Sequence, residues 1–174
     1  MCRLSELFKG TPVSLPNMPE TPQLDFPVYE IEYRALVEKI IADYGIEFML
    51  SKKYWRPDPL FYYTSLAGLK KIAPYLVIPA DRYVKGLSDC DDYTREARSR
   101  YALHFGLSSF DCWGKCDFAP SINDQANHSF FITVVGTPDK IEVVRIVEPN
   151  AGFQWAGKPF MPDENQYHLR AFKH

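Results

Sequence analysis

The chain has 174 residues, ordinary proportions of hydrophobic (46%) and charged (24%) side chains, and a formal net charge of −2. That length suits one domain with a substantial core. The charge offers no basic face for nucleic acid, and no stretch approaches the roughly 20 apolar residues that span a bilayer. The opening MCRLSELFKGTPV lacks the apolar run of a secretory signal, so a soluble, cytoplasmic or phage-associated chain is expected. Four cysteines, Cys2, Cys90, Cys112 and Cys116, are too few and too scattered for a disulfide scaffold.

Residues 1–28 read as an extended arm, because Pro12, Pro16, Pro19, Pro22 and Pro27 exclude a helix or a central strand. Such an arm packs on its own domain or links two copies in a homodimer; a loosely ordered terminal tail is the equal alternative. Residues 29–174 read as one α+β domain.

Tyr29 to Tyr44 places Ile31, Leu36, Val37, Ile40 and Ile41 at helical spacing, with Gly45 as the C-terminal stop. A shorter helix is expected over Leu66 to Ala73, ended by Pro74. The aromatic connection between them contains Trp55. Trp55 and Tyr83 are candidates for the wall of a groove, or for core packing.

The stretch GLSDCDDYTR then opens a third helix, running to Phe105 with Gly106 as its stop. Ser88 or Asp89 suits the N-cap, and Asp91 and Asp92 favour the first turn. Cys90, Tyr93, Ala97, Tyr101 and His104 share the face expected to meet the core. The chain then reads as an irregular aromatic loop through Trp113 and Cys116. Its Cys112 and Cys116, with His104 or His128, form an alternative zinc set.

HSFFITVV (His128 to Val135) and IEVVRIVE (Ile141 to Glu148) read as strands of a hairpin across GTPDK. Pairing Val135 with Ile141 sets His128 opposite Glu148; a slip that faces Gly136 with Glu142 sets it opposite Asn150. Either partner can fix an imidazole tautomer. The tail from Ala151 is not assigned.

A thiol at a helix start, then a histidine and a carboxylate or carboxamide on later strands, is the order of parts in papain-like enzymes. Asp89-Cys90-Asp91-Asp92-Tyr93, His128 and Val147-Glu148-Pro149-Asn150-Ala151-Gly152 together resemble one such group. It is the cysteine protease domain of the Marasmius oreades agglutinin type, with related bacterial and phage proteins. The resemblance covers roughly residues 83–153. It implies a papain-like fold, a Cys90–His128–Glu148 catalytic triad with Asn150 as the alternative third member, and a peptide or protein substrate. It also implies activation by calcium, or manganese, with Asp89, Asp91 and Asp92 as ligands. A cation there would offset carboxylates that otherwise disfavour a thiolate, although helix capping also accounts for aspartates at these positions. The expected function is therefore a cysteine hydrolase, acting as a peptidase. The alternative is a non-catalytic binding or structural module on the same scaffold.

Overall fold

The computed structural model describes residues 22–49, 58–84, 88–117, 127–138 and 140–174. Trp55, Cys2, residues 1–21 of the expected arm, and hence the dimer contact expected through them, lie outside the described residues.

The architecture is α+β, as expected. The elements run β1 (Tyr29–Glu32), α1 (Tyr33–Tyr44), β2 (Glu47–Phe48), β3 (Leu60–Tyr63), α2 (Leu66–Ile72), α3 (Cys90–Phe105), β4 (Phe110–Cys116), β5 (His128–Thr137), β6 (Lys140–Val147) and β7 (Tyr167–Lys173). A five-stranded sheet has the order β2-β7-β4-β5-β6, and β1 pairs with β3 in a separate ribbon. Among the described strands of the large sheet, β2 and β7 pair parallel and the other neighbours antiparallel.

The first helix begins four residues later than its apolar spacing predicts. Tyr29-Glu-Ile-Glu32 alternates apolar and charged residues, and it pairs antiparallel with Leu60–Tyr63 instead of coiling. Glu32 then caps α1, its carboxylate accepting from the Ala35 N–H at 2.5 Å. Gly45 stops α1 at φ 63°, and its N–H donates to the Ile41 carbonyl. The second helix passes into a 3₁₀ turn at Ala73–Leu76, around Pro74.

Strand β4 is a larger correction. The segment through Trp113 and Cys116, expected as a loop, belongs to a near-buried strand, Phe110–Cys116, between β5 and β7. Its two aromatic residues, glycine and two cysteines carry no alternation to announce a strand. Burial between neighbours makes it one.

Strand β5 is buried along nearly its whole length and divides the core. Phe130, Ile132 and Val134 face Leu36 and Ile40 of α1 together with Phe110, Tyr167 and Phe172. Phe131 and Val135 face Leu69 and Ile72 of α2 and Tyr93, Ala97 and Tyr101 of α3. The chain before β1 lies against this second cluster: Phe26 meets Phe105 with ring centroids 6.0 Å apart, and the Thr64 hydroxyl donates to the Pro27 carbonyl at 2.5 Å. On α3, Thr94 and Phe105 are buried, whereas His104 is only partly so.

The hairpin register departs from the simplest pairing. Gly136 faces Ile141, but Val135 faces Val143, so Glu142 is the extra residue of a bulge. Beyond it Phe131 faces Val147. Gly136 makes the bulge feasible, since a β-carbon there would sit 2.2 Å from the Lys140 carbonyl oxygen. Gly136→Ala is therefore expected to cost about 1–3 kcal/mol, as overpacking against rigid backbone does. Urea unfolding checks this, and an unchanged midpoint would show that the bulge tolerates a β-carbon.

Candidate functional site

Three chain segments meet where α3 begins. Asp89 sits at the N-cap of α3 in an extended conformation and makes no side-chain capping bond. Cys90 is therefore the first helical residue. Its turn is held by Thr94, whose hydroxyl donates to the Cys90 carbonyl at 2.8 Å, and by Tyr93, whose hydroxyl donates to the Pro79 carbonyl at 2.8 Å. Among the described cysteines Cys90 is partly exposed, while Cys112 and Cys116 are buried.

His128 is the first residue of β5, paired with Gly114 of β4, and 1% exposed. The register of the hairpin, carried three residues past Phe131–Val147, sets His128 level with Asn150. Its side-chain partner is nevertheless Glu148, whose Oε2 lies 2.6 Å from His128 Nε2. The two readings reconcile through the pleat. Glu148 falls opposite Phe130, two residues along from His128, so histidine and carboxylate share a face as diagonal neighbours. The expected directly opposed His128–Glu148 pairing is thus corrected by the bulge, while the contact itself forms.

Glu148 is wholly buried and fully engaged. Oε2 accepts from His128 and from the Tyr167 hydroxyl at 2.9 Å, and Oε1 accepts from the Asn150 backbone N–H at 2.9 Å. A buried carboxylate is sustained only by such bonds. The Asn150 side chain is occupied elsewhere, with Oδ1 accepting from the Gly152 N–H at 2.9 Å.

Cys90 and His128 line the same cleft. With Nε2 committed to Glu148, Nδ1 is the ring nitrogen left for another partner. Burial alone would lower the His128 pKa, but the Glu148 charge and hydrogen bond, with the neighbouring Cys90, outweigh it and raise it to about 10. Phe153 stacks on the imidazole, with centroids 4.6 Å apart and planes 17° from parallel.

Above this pair opens a cleft of about 210 Å³, lined by Ala80, Tyr83, Cys90, His128, Asn150, Gly152 and Phe153. Tyr83, a candidate wall residue from the sequence, does line it. Phe153 and Tyr167 were missed: neither belongs to a periodic element that sequence reading could place, and a phenol directed at a buried carboxylate leaves no local signal.

Asp89, Asp91 and Asp92 bring oxygens within 4.8 Å of one another. The Asp91 pKa is raised, first by its hydrogen bond to Asp89, then by burial and by the charges of Asp89 and Asp92. Three carboxylates held this close are hard oxygen donors of the kind that calcium and manganese take. One positive charge is already present: Arg95 reaches Asp92 at 2.6 Å and Asp91 at 3.2 Å. The alternative zinc set does not assemble among the described residues, since Cys112 and Cys116 pack into the core.

No family model matches the chain, and no curated protein matches it. Among solved structures it is similar to one of a PSL1a–E64 complex. It is also similar to one of Polyporus squamosus lectin bound to the human-type influenza-binding epitope Neu5Aca2-6Galb1-4GlcNAc. Each has a TM-score of 0.53 and 12% identity over 83% of this chain. The chain spans only about half of them, 51% and 49% respectively.

These neighbours correct the expected kinship with the cysteine protease domain of the Marasmius oreades agglutinin type: they are structures of a lectin, and no protease family model matches. The expected function, a cysteine hydrolase acting as a peptidase, is corrected with it, and a peptide or protein substrate loses its support. The binding-module alternative fits these neighbours better. At this identity the likeness establishes a shared fold alone.

Proposed function

We propose that the chain is a non-catalytic ligand-binding module, and that its ligand occupies the cleft over Cys90 and His128. The observation that carries this reading is the preformed cleft itself, with aromatic walls Tyr83 and Phe153 over a polar floor of Cys90, His128 and Asn150. Apolar walls with a few placed polar groups are how small-molecule sites are built. The electrostatics favour holding over turnover. An imidazole that keeps its proton to about pH 10, with Glu148 and Cys90 as its partners, is poorly matched to cycling protons with water near neutrality.

In this reading Cys90 supplies a sulfur that captures an electrophilic ligand, His128 carries the proton, and Glu148 fixes His128. Asp89, Asp91 and Asp92 would hold calcium or manganese, which would neutralise the carboxylates beside the thiol. The scaffold, a thiol-bearing helix laid on an antiparallel sheet, is papain-like in layout within the same proposal. Residues 29–174 form its single domain.

E64, named with PSL1a, is the probe; it carries an epoxide. The Cys90 thiolate would bond to an epoxide carbon, the C–O bond would break, and the alkoxide would take the His128 proton, leaving a thioether, a hydroxyl and a neutral imidazole. Intact-mass and peptide mapping, with calcium and with chelator, are expected to show one adduct per chain on Cys90. The adduct should be absent in Cys90→Ala, slower in His128→Ala and slower with chelator, and no hydrolysed E64 should accumulate. Labelling elsewhere without Cys90, or steady release of opened E64, would overturn the reading. Equal rates with calcium and chelator would remove the cation from it.

A further inference from the structure

We infer that Tyr167 is a positioning residue for the His128–Glu148 pair, its hydroxyl setting how hard the carboxylate holds the imidazole proton. This rests on reading Cys90 and His128 as the working end of the cleft. Tyr167 opens β7 and is completely buried, with its ring packed at centroid distances of 4.9 Å from Phe160, 5.4 Å from Phe130 and 6.0 Å from His128.

Its hydroxyl reaches the same Glu148 oxygen that His128 uses, so phenol and imidazole share one acceptor atom. An ionised carboxylate cannot donate, so the single phenolic proton points to Glu148. Cys116 is the direct neighbour of Tyr167 across the β4–β7 ladder. Phenol, carboxylate and imidazole thus form one line from Tyr167 to His128, which lines the cleft together with Cys90. Burial and then the Glu148 charge hold the Tyr167 pKa far above the usual phenol range, so it remains a donor at every working pH.

The direction of its influence follows. A donor on Glu148 stabilises the carboxylate most when His128 is neutral and the negative charge stands uncompensated. Removing that donor therefore makes Glu148 hold the imidazole proton more tightly.

Tyr167→Phe keeps the ring and deletes only the hydroxyl. Imidazole ¹⁵N and Nε2–H resonances of His128, followed by NMR from pH 7 upward, report the outcome without any ligand. In Tyr167→Phe the Nε2–H proton should move downfield, and His128 should titrate about one unit higher than in the wild type. A His128 resonance and titration that match the wild type, or a downward shift, would overturn the inference. Site-specific 3-fluorotyrosine at position 167, a stronger donor of nearly the same shape, is the second variant, should Tyr167→Phe fold poorly. It should shift His128 less and in the opposite direction; an unmoved resonance there would count equally against the inference. Because these readouts need no ligand, failure of E64 to label Cys90 and failure of this inference are separate results.

Discussion

Glu148→Ala should destabilise the fold by about 3–5 kcal/mol, the largest single-residue effect expected in this chain. The substitution removes the carboxylate on which three donors converge: His128 Nε2, the Tyr167 hydroxyl and the Asn150 backbone N–H. All three residues are buried, so water cannot readily replace it. The protonated His128 would be left without its counter-charge in the core, which is the costly half of breaking a buried pair. Chemical denaturation of wild type and variant measures the loss. A change below about 1 kcal/mol would mean that the pair is solvated or that the pocket relaxes around its absence. Glu148→Gln should cost less, since the amide oxygen still accepts, but it too removes the charge.

The second large effect is a fall in stability as pH rises from about 6.5 toward 10. His128 keeps its proton in the folded chain to about pH 10, against an ordinary value of 6.5. Between those limits the folded state holds a proton that the unfolded state has released. The His128 contribution is therefore complete below the lower value and is lost as pH climbs through the upper one. Its size is on the order of 5 kcal/mol, and the groups that set it are Glu148, Cys90 and, behind Glu148, Tyr167. Urea midpoints across the window, compared between wild type and Glu148→Gln, isolate the effect, because other tyrosines and cysteines titrate alike in both. A wild-type curve that stays level or rises, or one that parallels the variant, would show that His128 is not held protonated.

The sequence by itself determined the local features. Gly106, Asp89 and the apolar spacing from Tyr93 to Tyr101 mark α3 and its start, because caps and helical periodicity are short-range. The β-branched runs after His128 and Ile141 mark a hairpin for the same reason. Cys90, His128 and Glu148 could be singled out because each stands at an element boundary, where a polar residue beside an apolar run has no packing role.

Tertiary structure decided the remainder. β4 lies in the middle of the sheet yet does not alternate, because a strand covered on both faces has no solvent side to write into its pattern. β7, only partly buried, becomes a strand through its pairing with β4 and β2. The choice of Glu148 over Asn150 rested on a bulge at Gly136 and a diagonal across the pleat, both set by how β5 and β6 pair. Tyr167 and Phe153 joined the site from two separate segments. Long-range burial alone brings a phenol and a ring to one carboxylate and imidazole, and spacing along the chain carries no trace of it.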